Sequence, residues 1–121
     1  MQVVGRIDVD KYKALSSGIL TDEVVLTDRQ LAHIVEKRED VYEKYQDKLS
    51  DIVKNPDYIF ADPKHHDTAL VIKKYSNAAL VVLRLSTETT DKKNSILTMW
   101  EIKESRLQRY ILTHKTIYKK D

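Results

Sequence analysis

Arg29, His33 and Lys37 recur every fourth residue in TDRQLAHIVEK, residues 27–37. On a helix that spacing puts all three on one face. An imidazole titrates close to neutral pH, so His33 suits a general acid or base, and the cations beside it suit a line of phosphates. A solvated polar helix face has the same appearance. Lys73 and Arg84 stand in the otherwise apolar stretches TALVIKK and AALVVLRL. Buried unpaired charge is costly, so each either faces an open cleft, where it stabilises an anion, or packs its stem and keeps its head in water. Thr98, in SILTMW, is a good strand former. Its hydroxyl can also donate to a phosphate beside Lys73. Simple alternation puts Thr98 on a face with Ile96 and Trp100.

Other polar groups carry weaker signals. Asp62, His65, His66 and Asp67 in DPKHHD look like a metal cluster. Adjacent residues on one turn rarely reach a single ion, and no spacing matches a zinc motif, so a solvated turn and no metal site are expected. His114 either contacts an anionic partner or interacts with the last helix carbonyls. Asn55-Pro56-Asp57 reads as a helix stop and turn. Trp100 and Tyr58 read as core, although aromatics also stack on bases. There is no glycine-rich phosphate loop, no serine nucleophile motif and no paired carboxylates at helical spacing in an apolar setting. Nucleotide hydrolysis, acyl transfer and glycosidase chemistry are therefore unsupported, and no cofactor is expected.

These groups need elements to hold them. The chain has 121 residues, a net charge of +2, two glycines, two prolines and no cysteine. One domain over 1–121 is expected, with no disulfide and no cysteine-ligated zinc. The stretch MQVVGRIDVD has no long apolar run, so no signal peptide is expected. AALVVL at 78–83 is too short to cross a bilayer, and a cytoplasmic setting follows as the expectation. Lys103, Arg106, Arg109, Lys115, Lys119 and Lys120 make the C-terminal end basic. That permits an anionic partner, with Arg106 a further phosphate contact.

Residues 2–9 and 23–26 are strand-like. Thr27 with Gln30 approximates a capping box, which starts a helix bearing Leu31, Ile34 and Val35 on one face. A second helix is expected from about Asp40 to Lys54. Strands follow at 58–60, 69–75, 78–86 and 95–102, with Ser76-Asn77 as a tight connection and a polar loop at 86–94. A third helix is expected over 104–113, and Ile117-Tyr118 as a last strand or extension. Helices first and then a strand meander predict an α+β fold, with helices on one face of an antiparallel sheet and strand 78–85 central.

The series LTDRQLAHIVEKRED, DIVKNPDYIFAD, TALVIKK, AALVVLRL and NSILTMWEI resembles the phage-associated nuclease-like domains grouped with barnase, EndoU, colicin and RelE. The resemblance covers about residues 24–120, with 1–23 as an N-terminal strand extension. It implies N-terminal helices packed on a four-stranded antiparallel sheet, a C-terminal helix and metal-independent RNA endonuclease activity. On that reading His33, Lys73 and Thr98 carry the chemistry, and Arg29, Lys37, Arg84 and Arg106 bind RNA. RNA is the expected partner, with an inhibitor or antitoxin protein as a further one and no membrane. The resembling helix carries a second histidine a turn after the first, where this chain has Arg38. That departure opens the alternative of a nuclease-fold module that binds RNA or a protein without cleaving.

Overall fold

The computed structural model describes residues 1–88 and 93–121, so the expected polar loop at 86–94 lies partly outside the described residues. In chain order the elements are β1 (Gln2–Arg6), α1 (Val9–Tyr12), β2 (Glu23–Leu26), α2 (Asp28–Tyr45) and α3 (Leu49–Lys54). They continue with β3 (Tyr58–Ala61), β4 (Thr68–Lys74), β5 (Ala78–Arg84), β6 (Asn94–Ile102), α4 (Glu104–Thr113) and β7 (Thr116–Lys119).

The α+β class stands, but among the described residues the sheet has seven strands rather than four, in the order β1-β2-β6-β5-β4-β3-β7. The additions come from both ends of the chain: β1 and β2 extend one side and β7 pairs with β3 on the other. All pairings are antiparallel except β2–β6, where Val24 and Val25 lie opposite Asn94 and Ser95. That parallel contact is short. Beyond Ser95 no strand among the described residues pairs with that side of β6, and α2 packs against β6.

Central β5 is buried from Ala78 to Leu83, with apolar groups on both faces. Its odd positions, Ala79, Val81 and Leu83, join Ile34, Tyr45, Ile52, Val53 and Tyr12 in one core. Its even positions, Ala78, Leu80 and Val82, join Phe60, Ile72, Ile102 and Leu107 in another. The helices are therefore not all on one face. α1, α2 and α3 cover the first, and α4 covers the second through Leu107, Tyr110 and Ile111.

Local chemistry fixes the helix boundaries. Thr27 accepts the Gln30 amide at 3.1 Å and caps α2. The first predicted helix meets the second at a kink within α2, where Arg38 has φ −148° and ψ 56°, but the second does not run unbroken to Lys54: a 3-10 turn at Gln46–Lys48 separates α2 from α3. α3 stops before Pro56, where Asn55 is pushed out of the helical region. β1 bulges between Val3 and Gly5. A Cβ on Gly5 would sit 2.9 Å from the Ser50 Cα of α3, so this glycine is there for close approach. Gly5→Ala is expected to cost about 1–3 kcal/mol, because backbone must shift. The check is a lower urea midpoint with an unchanged slope; an unchanged midpoint would show that α3 moves away freely.

Candidate functional site

α4 carries its apolar residues Leu107, Tyr110 and Ile111 against the sheet, which leaves Arg106 and Arg109 exposed. Beneath it the rings of Tyr58, Phe60 and Tyr110 form a near-parallel row. Their centroids are 5.6 and 6.1 Å apart, with interplanar angles of 12° and 19°. His114 closes the row, 4.7 Å from Tyr110 and 6.3 Å from the fully buried Phe60.

The helix end supplies that histidine's hydrogen-bond partner. Thr113 donates its hydroxyl to the Arg109 carbonyl at 2.8 Å, the back-bond common for threonine in a helix. A hydroxyl carries one hydrogen, so toward His114 Nδ1, 2.8 Å away, Thr113 can only accept. With the hydroxyl hydrogen on the Arg109 carbonyl, the matching tautomer carries its proton at Nδ1 and leaves the Nε2 lone pair available. His114 itself is extended, at φ −113° and ψ 154°, and its amide closes the helix on the Tyr110 carbonyl.

Arg106, Arg109, Tyr110, Thr113 and His114 line a hollow of about 190 Å³. A second, of about 230 Å³, shares Arg106 and Arg109 and adds Ser105. Among the described residues no carboxylate pairs with either arginine. Two unneutralised guanidiniums beside an imidazole with a free ring nitrogen are equipped to hold a phosphoryl group and to move a proton next to it.

The residues singled out from sequence do not all gather here. Arg106 lines the hollow. Arg29, His33 and Lys37 are exposed and share a stripe of α2 before its kink. Lys73 lies opposite Ala79, which on its other side lies opposite Glu101, on the face covered by α1–α3. Its ammonium donates to the Asn55 carbonyl at 2.8 Å and lies 3.6 Å from Asp51. Thr98 lies opposite Val82, on the α4 face. Lys73 and Thr98 are thus on opposite sides of the sheet, and the expected phosphate site between them does not form. The register slips at Leu97, because Leu83 pairs with Ile96 while Val82 pairs with Thr98. This bulge also separates Ile96 from the face that Thr98 shares with Trp100. Arg84, opposite Ser95, is on the α4 face as well.

The DPKHHD histidines take separate carboxylates: His65 Nδ1 is 3.1 Å from Asp62, and His66 Nε2 is 3.2 Å from Asp67. Among the described residues no three potential ligands converge. Arg109, Tyr110 and Thr113 escaped the sequence reading as site residues. The available signal was their helical spacing with Arg106, at i+3, i+4 and i+7.

A separate cluster lies on the first face. Glu101 accepts from Lys44 at 2.6 Å and from the Tyr45 hydroxyl, and the Tyr45 ring centroid is 5.6 Å from that of Tyr75. Lys44, then Tyr45, hold the Glu101 carboxyl below its ordinary range, while burial pushes the Tyr75 phenol up to about 12. A depressed folded-state pKa means stability present above the unfolded value, near 4.3, and lost as pH falls through the folded one. Glu101→Gln is therefore expected to flatten the acid limb of a stability–pH curve below about pH 5. An acid limb of unchanged steepness would assign that limb to other carboxylates.

A family profile described as phage-Barnase-EndoU-ColicinE5/D-RelE like nuclease3 matches residues 2–109. The chain belongs to that family, which carries a nuclease-type function. Searches of curated proteins and of solved structures returned no match. The matched span ends at Arg109, so Tyr110, Thr113 and His114 lie beyond it. No helix among the described residues is long and apolar enough to cross a membrane.

Proposed function

We propose that the protein is an RNA endonuclease that needs no metal ion and works in the α4 hollow. The observation that carries this reading is the His114 ring, with Nδ1 committed to Thr113 and Nε2 open beside Arg106 and Arg109. Nε2 takes the proton from a ribose 2′-hydroxyl, and O2′ then attacks the adjacent phosphorus. The bond to the 5′-oxygen breaks, and that oxygen leaves with a proton from solvent. Arg106 and Arg109 offset the charge that builds on the phosphorane. The products are a 2′,3′-cyclic phosphate and a 5′-hydroxyl. The Arg29–His33–Lys37 stripe tracks the RNA backbone at a distance from the chemistry.

The test is incubation of the pure protein with RNA in EDTA, with end-group analysis of the products. Cyclic phosphate ends, and resistance of a DNA of the same sequence, are expected. The position of His114 beyond the family match favours one second reading, a module that binds RNA without cutting it. Salt-sensitive RNA affinity with intact RNA after long incubation would select it.

A further inference from the structure

Arg106 and Arg109 each line both hollows of α4. One hollow holds Tyr110, Thr113 and His114; the other, of about 230 Å³, is completed by Ser105. The two arginine side chains therefore stand between the hollows. Three positions apart, they are neighbours on the exposed side of the helix. The Ser105 hollow is open to solvent and lined by one hydroxyl and two cations, with no imidazole and no ring. It is equipped to bind an anion, and none of its side chains titrates near neutral pH.

Charge balance asks for a ligand there. A backbone phosphate carries one negative charge, whereas the arginine pair carries two positive ones. Among the described residues no carboxylate pairs with either. Glu104, the acid nearest in the chain, is engaged elsewhere: it is 3.3 Å from Lys74 and accepts from the Gln108 amide at 3.0 Å. A single phosphate in the His114 hollow thus leaves one positive charge unmatched. A guanidinium has five N–H donors in a planar fork, enough to serve an oxygen on either side of it.

We propose that the Ser105 hollow holds the phosphate next to the one beside His114, so that the ligand of α4 is a strand segment with two consecutive phosphates. Ser105 and the arginine pair hold this flanking phosphate, while the other side of the same pair faces the phosphate to be cut. The inference deepens the reading of RNA as the α4 ligand and rests on it, but does not rest on cleavage.

The probe is a 2′-O-methyl dinucleotide, which the proposed chemistry cannot cut, with binding read by calorimetry. A second form carries a phosphate methyl ester at its 5′ or its 3′ end, which adds one charge. A third carries that ester on a propanediol spacer. The directly attached ester is expected to raise affinity about tenfold at one of the two ends, the effect of one charge-assisted contact. The spacer form should stay within about twofold of the plain dinucleotide. Ser105→Asp puts a carboxylate into the hollow and is expected to erase the tenfold gain. An acidic residue in the first turn suits a helix, so this variant should melt no lower than the native chain, which separates lost binding from lost folding.

No gain at either end, an equal gain through the spacer, or an undiminished gain in Ser105→Asp overturns the subsite. Pyrophosphate binding as tightly as the esterified dinucleotide overturns its assignment to a nucleic-acid strand. RNA cleavage in EDTA without the gain leaves the mechanism and removes the subsite, and the gain without cleavage does the reverse. No binding of any probe overturns both.

Discussion

His114→Ala is expected to lower RNA cleavage by roughly 10²–10⁴-fold, the usual contribution of one positioned acid–base group. The ring is half-buried at the end of α4, and its hydrogen bond goes to a neighbouring exposed threonine, so its loss leaves the sheet and both cores in place. RNA affinity should change far less than the rate, because Arg106 and Arg109 remain. Thr113→Val supplies the sharper version of the same test. It removes the acceptor that commits Nδ1 and should lower the rate without touching the ring. His33→Ala is expected to leave the rate within about twofold of native, since His33 stands on α2 and does not line the α4 hollow. Equal losses for His33→Ala and His114→Ala would return the chemistry to α2. Full activity of His114→Ala would remove the α4 mechanism.

Phe60→Ala is expected to cost about 3–5 kcal/mol, the range for deleting a fully buried aromatic side chain. Phe60 has 0% exposure and lies between Tyr58 and Tyr110 in the ring row. It belongs to the smaller of the two cores, where α4 contributes Leu107, Tyr110 and Ile111. A cavity there cannot be filled from the sheet, whose neighbours Leu70 and Ile72 are already packed. The thermal midpoint should fall on the order of 10–20 °C for a chain of this size. Activity should fall with it even well below the midpoint, because Phe60 also backs His114. Phe60→Leu, which keeps most of the volume, is expected to restore most of both. A thermal midpoint for Phe60→Ala within a few degrees of native would mean that α4 is held by something other than this row.

The sequence reveals individual strands better than the faces they share. AALVVL announces a strand covered on both sides, and β5 is the middle strand of seven. α4 was legible to the residue, because Leu107, Tyr110 and Ile111 have helical spacing and nothing interrupts them. The α2 kink was only half visible. A break was expected between Val35 and Asp40, but no proline or glycine marks Arg38, whose ring partner Trp100 lies some sixty positions away. Lys73 and Thr98 were the hardest pair. Parity within each strand is plain, yet the relation between strands depends on register, and a one-residue slip exchanges the faces. The Leu97 bulge is such a slip, and nothing in SILTMW signals it. His114 was weighed as an RNA contact, but its tautomer follows from a threonine back-bond that only coordinates disclose.

β2 meets β6 through Val24 and Asn94, and β3 meets β7 through Tyr58 and Lys119. Both pairings close long loops, and chains dominated by such contacts fold on the order of milliseconds to seconds rather than microseconds. α4 is strung between β6 and β7, so its arginines and histidine are neighbours along one helix, whereas the Phe60 ring that backs His114 comes from β3, some fifty positions earlier. The hollow's polar groups are thus a local product of the helix, while the aromatic floor beneath them depends on a long-range contact.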